Sequence, residues 1–243
     1  MRFYFDHNAC TPTDERVLAR FREVEVRCPG NPGSLHESGR KARAVVEQAR
    51  AEVAASLGVV ADEVLFVSGG TEANNIIVLG AGRTVLPVLL APLEHPSVLE
   101  AAAERGMIPW EVNEQGEAVV AAPDRDVGLV CLTHGQNEVG TMQPIKAAAD
   151  LAGRLGVPFH VDASQTLGRC PITDVMAVAT SVTFSTHKAG GLRGSGVLIT
   201  RMPELRPLFW GGGQQQGQRP GTESPALAAA SALAVTLAIE EQA

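Results

Sequence analysis

Aromatic side chains are scarce in this 243-residue chain: Phe, Trp and Tyr supply 4%, with a single tyrosine. Ala, Val and Leu must therefore fill the core, and an apolar content of 45% is ample for that. Cysteine is sparse and unpatterned. Cys10, Cys28, Cys131 and Cys170 show no Cys-x-x-Cys spacing and no clustering with histidine, which argues against a zinc site or a disulfide framework. Basic charge is not in excess. With 20 Lys and Arg against 27 Asp and Glu, the net charge of −7 argues against a nucleic-acid-binding surface. No apolar run is long enough for a membrane span, since the longest, Ala226 to Ile239, contains Ser231 and Thr236 and ends in Glu240-Glu241. Met1 to Asp6 lacks the apolar region of a secretory leader. The expectation is a cytoplasmic protein without membrane or nucleic-acid partners and without a metal site.

What is present is alternation. A short strand is expected within residues 1–12, then a helix capped by Thr13 or Asp14 and running to about Val26. Cys28 to Ser34, with two prolines and two glycines, must be loop. Ala42, Val45, Val46, Ala49, Val53 and Leu57 recur at three- and four-residue steps, which predicts a helix over His36–Leu57, ended by Gly58. Val64–Val67 reads as a strand, followed by a helix capped by Thr71. Further strand-like runs are Val88–Ala91, Met107–Trp110, Val127–Leu132, Val157–Val161, Ser181–Phe184 and Val197–Thr200, with helices at Pro96–Arg105 and Ile145–Leu155. Apolar strands alternating with helices indicate an α/β fold, a mostly parallel sheet covered by helices on both faces. Ligands of such a sheet bind outside the carboxyl ends of its strands.

The polar motifs fall at those ends: Ser68–Thr71, Glu94-His95, Gln136-Asn137-Glu138, Asp162–Gln165 and Ser185–Lys188. Lys188 follows a β-branched run and precedes the Gly-rich turn Ala189–Gly196, where an amine can be reachable, partly desolvated and fixed. Asp162 follows an apolar strand and suits either a helix cap or the partner of a protonated pyridine nitrogen, with Gln165 placed to donate to a ring hydroxyl. His95 can stack on a flat ring or carry a proton. Ser185, His187 and the Gly70–Thr71 amides together would form a phosphate cup beside Lys188. Taken singly, each has an ordinary reading: a capped turn at Gly70–Thr71, a turn-forming Asn137, a loop histidine at His95. Trp210–Thr222 is too Gly-rich to be a packed element, and reads as an ordered functional loop or as a connector.

These residues stand in the order of a known family. Tyr4–Ala9, Gly30-Asn31-Pro32 with Leu35-His36, Ser68–Asn75, Glu94-His95-Pro96, Asn137–Gly140, His160–Ala163 with Gln165, Ser185–Lys188 and Gly211–Thr222 carry the match from residue 3 to about 230. The chain resembles the pyridoxal-phosphate-dependent cysteine desulfurases of the class V aminotransferase group, fold type I. The resemblance implies that Lys188 bonds the cofactor and later moves protons, and that Asp162 pairs with the pyridine nitrogen. His95 would stack on the ring, Asn137 and Gln165 would address its hydroxyl, and Gly70, Thr71, Ser185 and His187 would hold the phosphate. Thr222 of an Arg-x-Gly-Thr motif would reach the phosphate of the other subunit, which implies a homodimer.

The implied reaction takes sulfur from L-cysteine or a similar amino acid, leaving L-alanine and a persulfide. The sulfur would go to iron–sulfur cluster assembly or thiolation through an acceptor or scaffold protein. Residues 1–13 would form a segment near the active site, and 14–243 a cofactor-binding large domain ending in a truncated connecting helix. The family's small domain, with its sulfur-accepting cysteine and carboxylate-binding arginine, is expected to be absent. That absence would leave Ala226–Ile239 short of packing and prone to association. Gln136-Asn137 replaces the usual Asn pair, Gly191-Leu192-Arg193-Gly194 the usual Gly-Pro-Lys-Gly, and Cys10 a usual threonine. Cys131 and Cys170 read as structural thiols, and Cys10 as the nearest to a substitute acceptor. Alternatives are another reaction on the scaffold (selenocysteine lysis, β-elimination or amino transfer) or a non-catalytic dimerisation partner.

Overall fold

The computed structural model describes residues 3–202 and 205–242. Helix α1 (Glu15–Arg27) begins where the Asp14 carboxylate accepts the Arg16 N–H. Helix α2 (Glu37–Leu57) begins at His36, whose ring accepts from Gly39, and stops at Gly58 with φ 69°, a left-handed conformation that suits glycine. Then follow β1 (Val64–Val67), α3 (Gly70–Gly80), β2 (Val88–Leu90), α4 (Pro96–Arg105) and β3 (Met107–Pro109). A hairpin of β4 (Glu111–Val112) and β5 (Ala118–Val119) precedes β6 (Leu129–Thr133), α5 (Ile145–Leu155) and β7 (Phe159–Asp162). The chain continues through α6 (Thr173–Val178), β8 (Ser181–Ser185), β9 (Gly196–Thr200) and α7 (Pro225–Glu240).

Seven strands form one sheet in the order β1-β9-β8-β7-β6-β2-β3. Only β9 runs against its neighbours, so the sheet is mostly parallel, as the alternation implied. Successive side chains point to opposite faces. Leu65, Leu129, Cys131 and Leu198 pack with α3 and α4 on one face. Val64, Val130, Leu132, Val182, Val197 and Ile199 pack with α2, α5, α6 and α7 on the other. The central strands are buried on both faces, which explains their unbroken apolar runs.

Several expectations need correction. Residues 3–12 form no strand; they are pinned beside β8 by the Thr11 N–H to the His187 carbonyl (2.9 Å), and the Tyr4 hydroxyl lies 2.9 Å from both the Asp6 and Cys10 carbonyls. Thr71 is not a cap. The cap lies two residues earlier, at Gly69, and helix α3 starts at Gly70, so the Thr71 hydroxyl is free for other work. Helix α7 is not short of packing. It lies between α1 and α2, with Val17 against Ala230 and Ala234, and Val24 against Ala226 and Ala229. Its small side chains let neighbouring helices approach on two sides and are buried there, while Leu227, Leu233, Leu237 and Ile239 are partly buried.

The Gly-rich loop is ordered. Gln215, at φ 47°, pairs its side-chain amide with both backbone groups of Phe66 (2.7 and 2.8 Å), standing in for a strand at the edge of β1. Arg219 joins the loop to α3 through Glu72 at 2.8 Å. Among the described residues no helix is long and apolar enough to cross a membrane.

Candidate active site

The site lies where the carboxyl ends of β1, β2, β6, β7 and β8 meet the amino end of β9. A cavity of about 790 Å³ opens there. Lys188, His95, Asp162, Asn137, Ser185, His187, Gly70 and Thr71 all line it, so eight of the residues expected from the sequence converge. Two do not. The Gln165 amide donates to the Asn8 carbonyl (2.9 Å) and its carbonyl takes Arg169 (2.7 Å). Thr222 lines a separate cavity of about 150 Å³ with Ser68, Gly194 and Arg219.

Lys188 closes a single 3-10 turn, Thr186–Lys188, directly after β8. Thr186 anchors that turn from below: its hydroxyl lies 2.7 Å from Ser195 Oγ, and its carbonyl accepts from Gly191 at 2.8 Å. A Cβ on Gly191 would fall 2.6 Å from the Thr186 Cβ, so the return of the Gly-rich turn requires glycine. Lys188 makes no ion pair among the described residues. Burial pushes its ammonium below the usual lysine range, opposed by the charge of Asp162. An amine so placed is closer to its neutral, nucleophilic form.

Asp162 is the last residue of β7, paired in register with Thr133 and Thr183. Its Oδ1 accepts from the Ser164 N–H (2.9 Å) and its Oδ2 from Asn74 Nδ2 (2.7 Å). His95 caps α4, with Nδ1 accepting the Ser97 N–H at 3.1 Å and lying 2.8 Å from Ser97 Oγ. Burial lowers its pKa, with Lys188 adding to the effect and Asp162 opposing it. His187 is held low by burial and by the cations Lys188 and Arg193. Glu94, fully buried next door, accepts from the Thr133 N–H at 2.6 Å and is pushed up to about 8 by burial and by Asp162.

The amino end of α3 forms a cradle. The Gly70 N–H donates to Ser185 Oγ at 3.1 Å, and a Cβ there would sit 2.4 Å from that oxygen and 3.2 Å from Ser164 Oγ. Ser164 Oγ is buried, lines the cavity and has no hydrogen-bond partner. Glu72, one residue past Thr71, also lines the cavity, but its carboxylate is engaged by Arg219 and the Ser68 N–H. Burial alone would raise its pKa, but Arg219 and the Ser68 N–H outweigh that and hold it low. With that carboxylate paired to Arg219, the amino end of α3 presents its backbone dipole and the Thr71, Ser164 and Ser185 hydroxyls to the cavity, a combination suited to an anion.

Sequence reasoning missed Asn74, Ser97, Ser164 and Arg193 as site residues. Asn74 stands inside the Ser68–Asn75 motif and Arg193 inside the Gly-rich turn, but nothing in their local spacing says which way they point. Cys10 lines the cavity with its Sγ 3.6 Å from Arg193 Nη1. Cys131 is buried in β6, and burial pushes its thiol well above the usual range.

Comparison with known proteins supplies the relationship. The family model for aminotransferase class-V matches residues 3–231. A NifS/IcsS protein homolog of Lactobacillus delbrueckii subsp. bulgaricus is 36% identical over 98% of this chain and 66% of its own length. A putative cysteine desulfurase IscS 1 of Bacillus subtilis is 35% identical over 92% of this chain and 62% of its own. Among solved structures, a NifS-like protein has a TM-score of 0.90 at 33% identity, covering 100% of this chain and 71% of that one. SspA in complex with cysteine has a TM-score of 0.86 at 29% identity, covering 96% and 72%. The chain spans 62–66% of the length of the first curated relatives it matches. The match across nearly the whole chain, in sequence and in fold, shows that it belongs to the class-V aminotransferase family, among the cysteine desulfurase homologues.

Proposed function

We propose that the chain is a pyridoxal-phosphate-dependent, cysteine desulfurase-like protein that takes sulfur from L-cysteine and leaves L-alanine. The observation that carries this reading is the gathering of Lys188, His95, Asp162 and the α3 cradle around one cavity. The donor set fits a phosphorylated pyridine aldehyde. A cradle that any Cβ at Gly70 would fill, lined by a buried Ser164 hydroxyl with no partner, suits an anion. An acidic group at the end of β7 and a partly desolvated amine in the turn after the adjacent β8 suit a basic ring nitrogen and a carbonyl carbon.

When bound, the cofactor supplies an electron sink for the substrate's α-carbon. Gly70, Thr71, Ser185 and His187 would hold its phosphate. Asp162 would pair with the ring nitrogen, and its two hydrogen bonds fix the carboxylate in place. Lys188 would bond the aldehyde carbon and afterwards carry protons. His95 would lie against the ring, and Asn137 would address the ring hydroxyl. Gln165, engaged here by Asn8, would share that task once its amide is released. Thr222 lies outside this chain's own cavity and is exposed, which supports a homodimer in which it serves the neighbouring subunit. Cys10 lines the cavity beside Arg193, which supports it over Cys28, Cys131 and Cys170 as a thiol near the reaction. The mobilised sulfur would pass to an acceptor or scaffold protein, for iron–sulfur clusters or thiolation.

The test is product analysis with L-cysteine, pyridoxal phosphate and a thiol reductant. Alanine and sulfide in equal amounts are expected, and both disappear in Lys188→Ala. Pyruvate and ammonia in place of alanine would overturn the desulfurase assignment in favour of β-elimination. Absence of any product from a cofactor-loaded protein would overturn it in favour of a non-catalytic partner.

A further inference from the structure

Asn74 in the second turn of α3 and Ser97 in the first turn of α4 are buried polar residues. Their hydrogen bonds admit one self-consistent direction. Asp162, as a carboxylate, only accepts, so the Asn74 atom 2.7 Å from its Oδ2 is the amide nitrogen. The second hydrogen of that nitrogen points at Ser97 Oγ, 2.9 Å away. Having accepted from Asn74, the Ser97 hydroxyl turns its own proton to His95 Nδ1 at 2.8 Å. The Ser97 backbone N–H reaches the same ring nitrogen at 3.1 Å. On the far side, Asn74 Oδ1 takes the Nε2–H of His160 at 3.1 Å, and His160 Nδ1 takes the Ser181 hydroxyl at 2.9 Å. Each group in this run is used in its allowed sense. His160 supports the order, since burial pushes its pKa down to about 4 and keeps it a single-donor ring.

We propose that Asn74 and Ser97 are positioning residues that hold His95 as the neutral tautomer with its proton on Nε2, while the same Asn74 amide fixes Asp162. Two donors saturate Nδ1, so no proton fits there. Nε2 has no protein partner among the described residues and is the nitrogen left to meet whatever fills the cavity. A neutral imidazole can lie against a flat ring without adding a second cation beside Lys188. One amide therefore sets both the ring-nitrogen partner and the stacking imidazole, and coordinates them across α3, α4 and β7. This deepens the functional reading above and rests on it for what the two groups do.

The test uses the apo protein, so its outcome stands whether or not pyridoxal phosphate binds. Ring ¹⁵N chemical shifts of histidine-labelled protein, with the His95 signal assigned through His95→Gln, report which nitrogen bears the proton. Wild type is expected to show a single Nε2–H tautomer. Ser97→Ala leaves only the backbone donor on Nδ1 and should weaken the preference by about fivefold, the worth of one hydrogen bond. Asn74→Ala frees the Ser97 hydroxyl to accept from Nδ1–H and should move the ratio the same way. Ser97→Thr should restore it. A protonated Nδ1 or a mixed population in wild type overturns the proposal. So does a tautomer unchanged in Ser97→Ala, the milder variant, at an unaltered melting temperature.

Discussion

At the scale of single residues, burial shifts the titration of several groups in and beside this site: Lys188, His95 and His187 downward, Glu94 upward. Glu94 makes the clearest case because its carboxyl is fully buried and one oxygen has no partner. The unfolded chain ionises it near 4.5 and the folded chain near 8. Between those values the folded state holds a proton that the unfolded state has released, so its contribution to stability falls as pH rises through that window. His160 has the opposite sign. Its folded value of about 4 lies below the ordinary 6.5, so stability is lost as pH falls from 6.5 through 4. Glu94→Gln removes the alkaline loss alone. Its melting temperature relative to wild type is expected to rise from pH 5 to about pH 8 and level off above that, by an amount reflecting a few kcal/mol at the upper end. A difference that stays constant with pH would show that Glu94 is not the titrating group. Lys188, Asp162 and His95 were legible in the sequence because each follows an apolar run that sets its place at a strand end. Asn74 was not, because its partners come from residues 97, 160 and 162, and spacing along α3 cannot reveal them.

At the scale of elements, the junction of β1 with α3 is the place we propose for the cofactor's phosphate. Capping the helix at Gly69 rather than Thr71 leaves the Thr71 hydroxyl free and brings the backbone against Ser185. Gly70→Ala is expected to gain a little helix propensity but to place a methyl in the cradle. Affinity for pyridoxal phosphate should fall by at least about tenfold, the value of a well-placed helix-terminus interaction, while the clash with Ser185 Oγ lowers the melting temperature modestly without unfolding the domain. Titration of cofactor by fluorescence or absorbance measures this, and undiminished affinity would place the phosphate elsewhere. The long periodic helices and the buried strands were legible because period and apolar length announce them. The hairpin β4–β5 and α6 were not. Two-residue strands have no period, and the reversal between them is made by Asn113, whose Oδ1 accepts from the Gln115 and Glu117 N–H groups. The docking of α7 was misjudged because composition shows that a helix is apolar but not which helices flank it.

At the scale of the whole molecule, one sheet with a single reversed strand brings five strand ends to one cavity and places α1, α7 and α2 as a layer behind it. That arrangement, shared with NifS-like structures at a TM-score of 0.90, gives the site its frame. The central claim is that this frame holds a cofactor through Lys188. The most direct measurement is the visible absorption spectrum of protein purified with pyridoxal phosphate, before and after L-cysteine, beside Lys188→Ala. The account predicts a band in wild type that moves when L-cysteine is added and is missing from a folded Lys188→Ala. No band in wild type, or a band that survives the loss of Lys188, would contradict it.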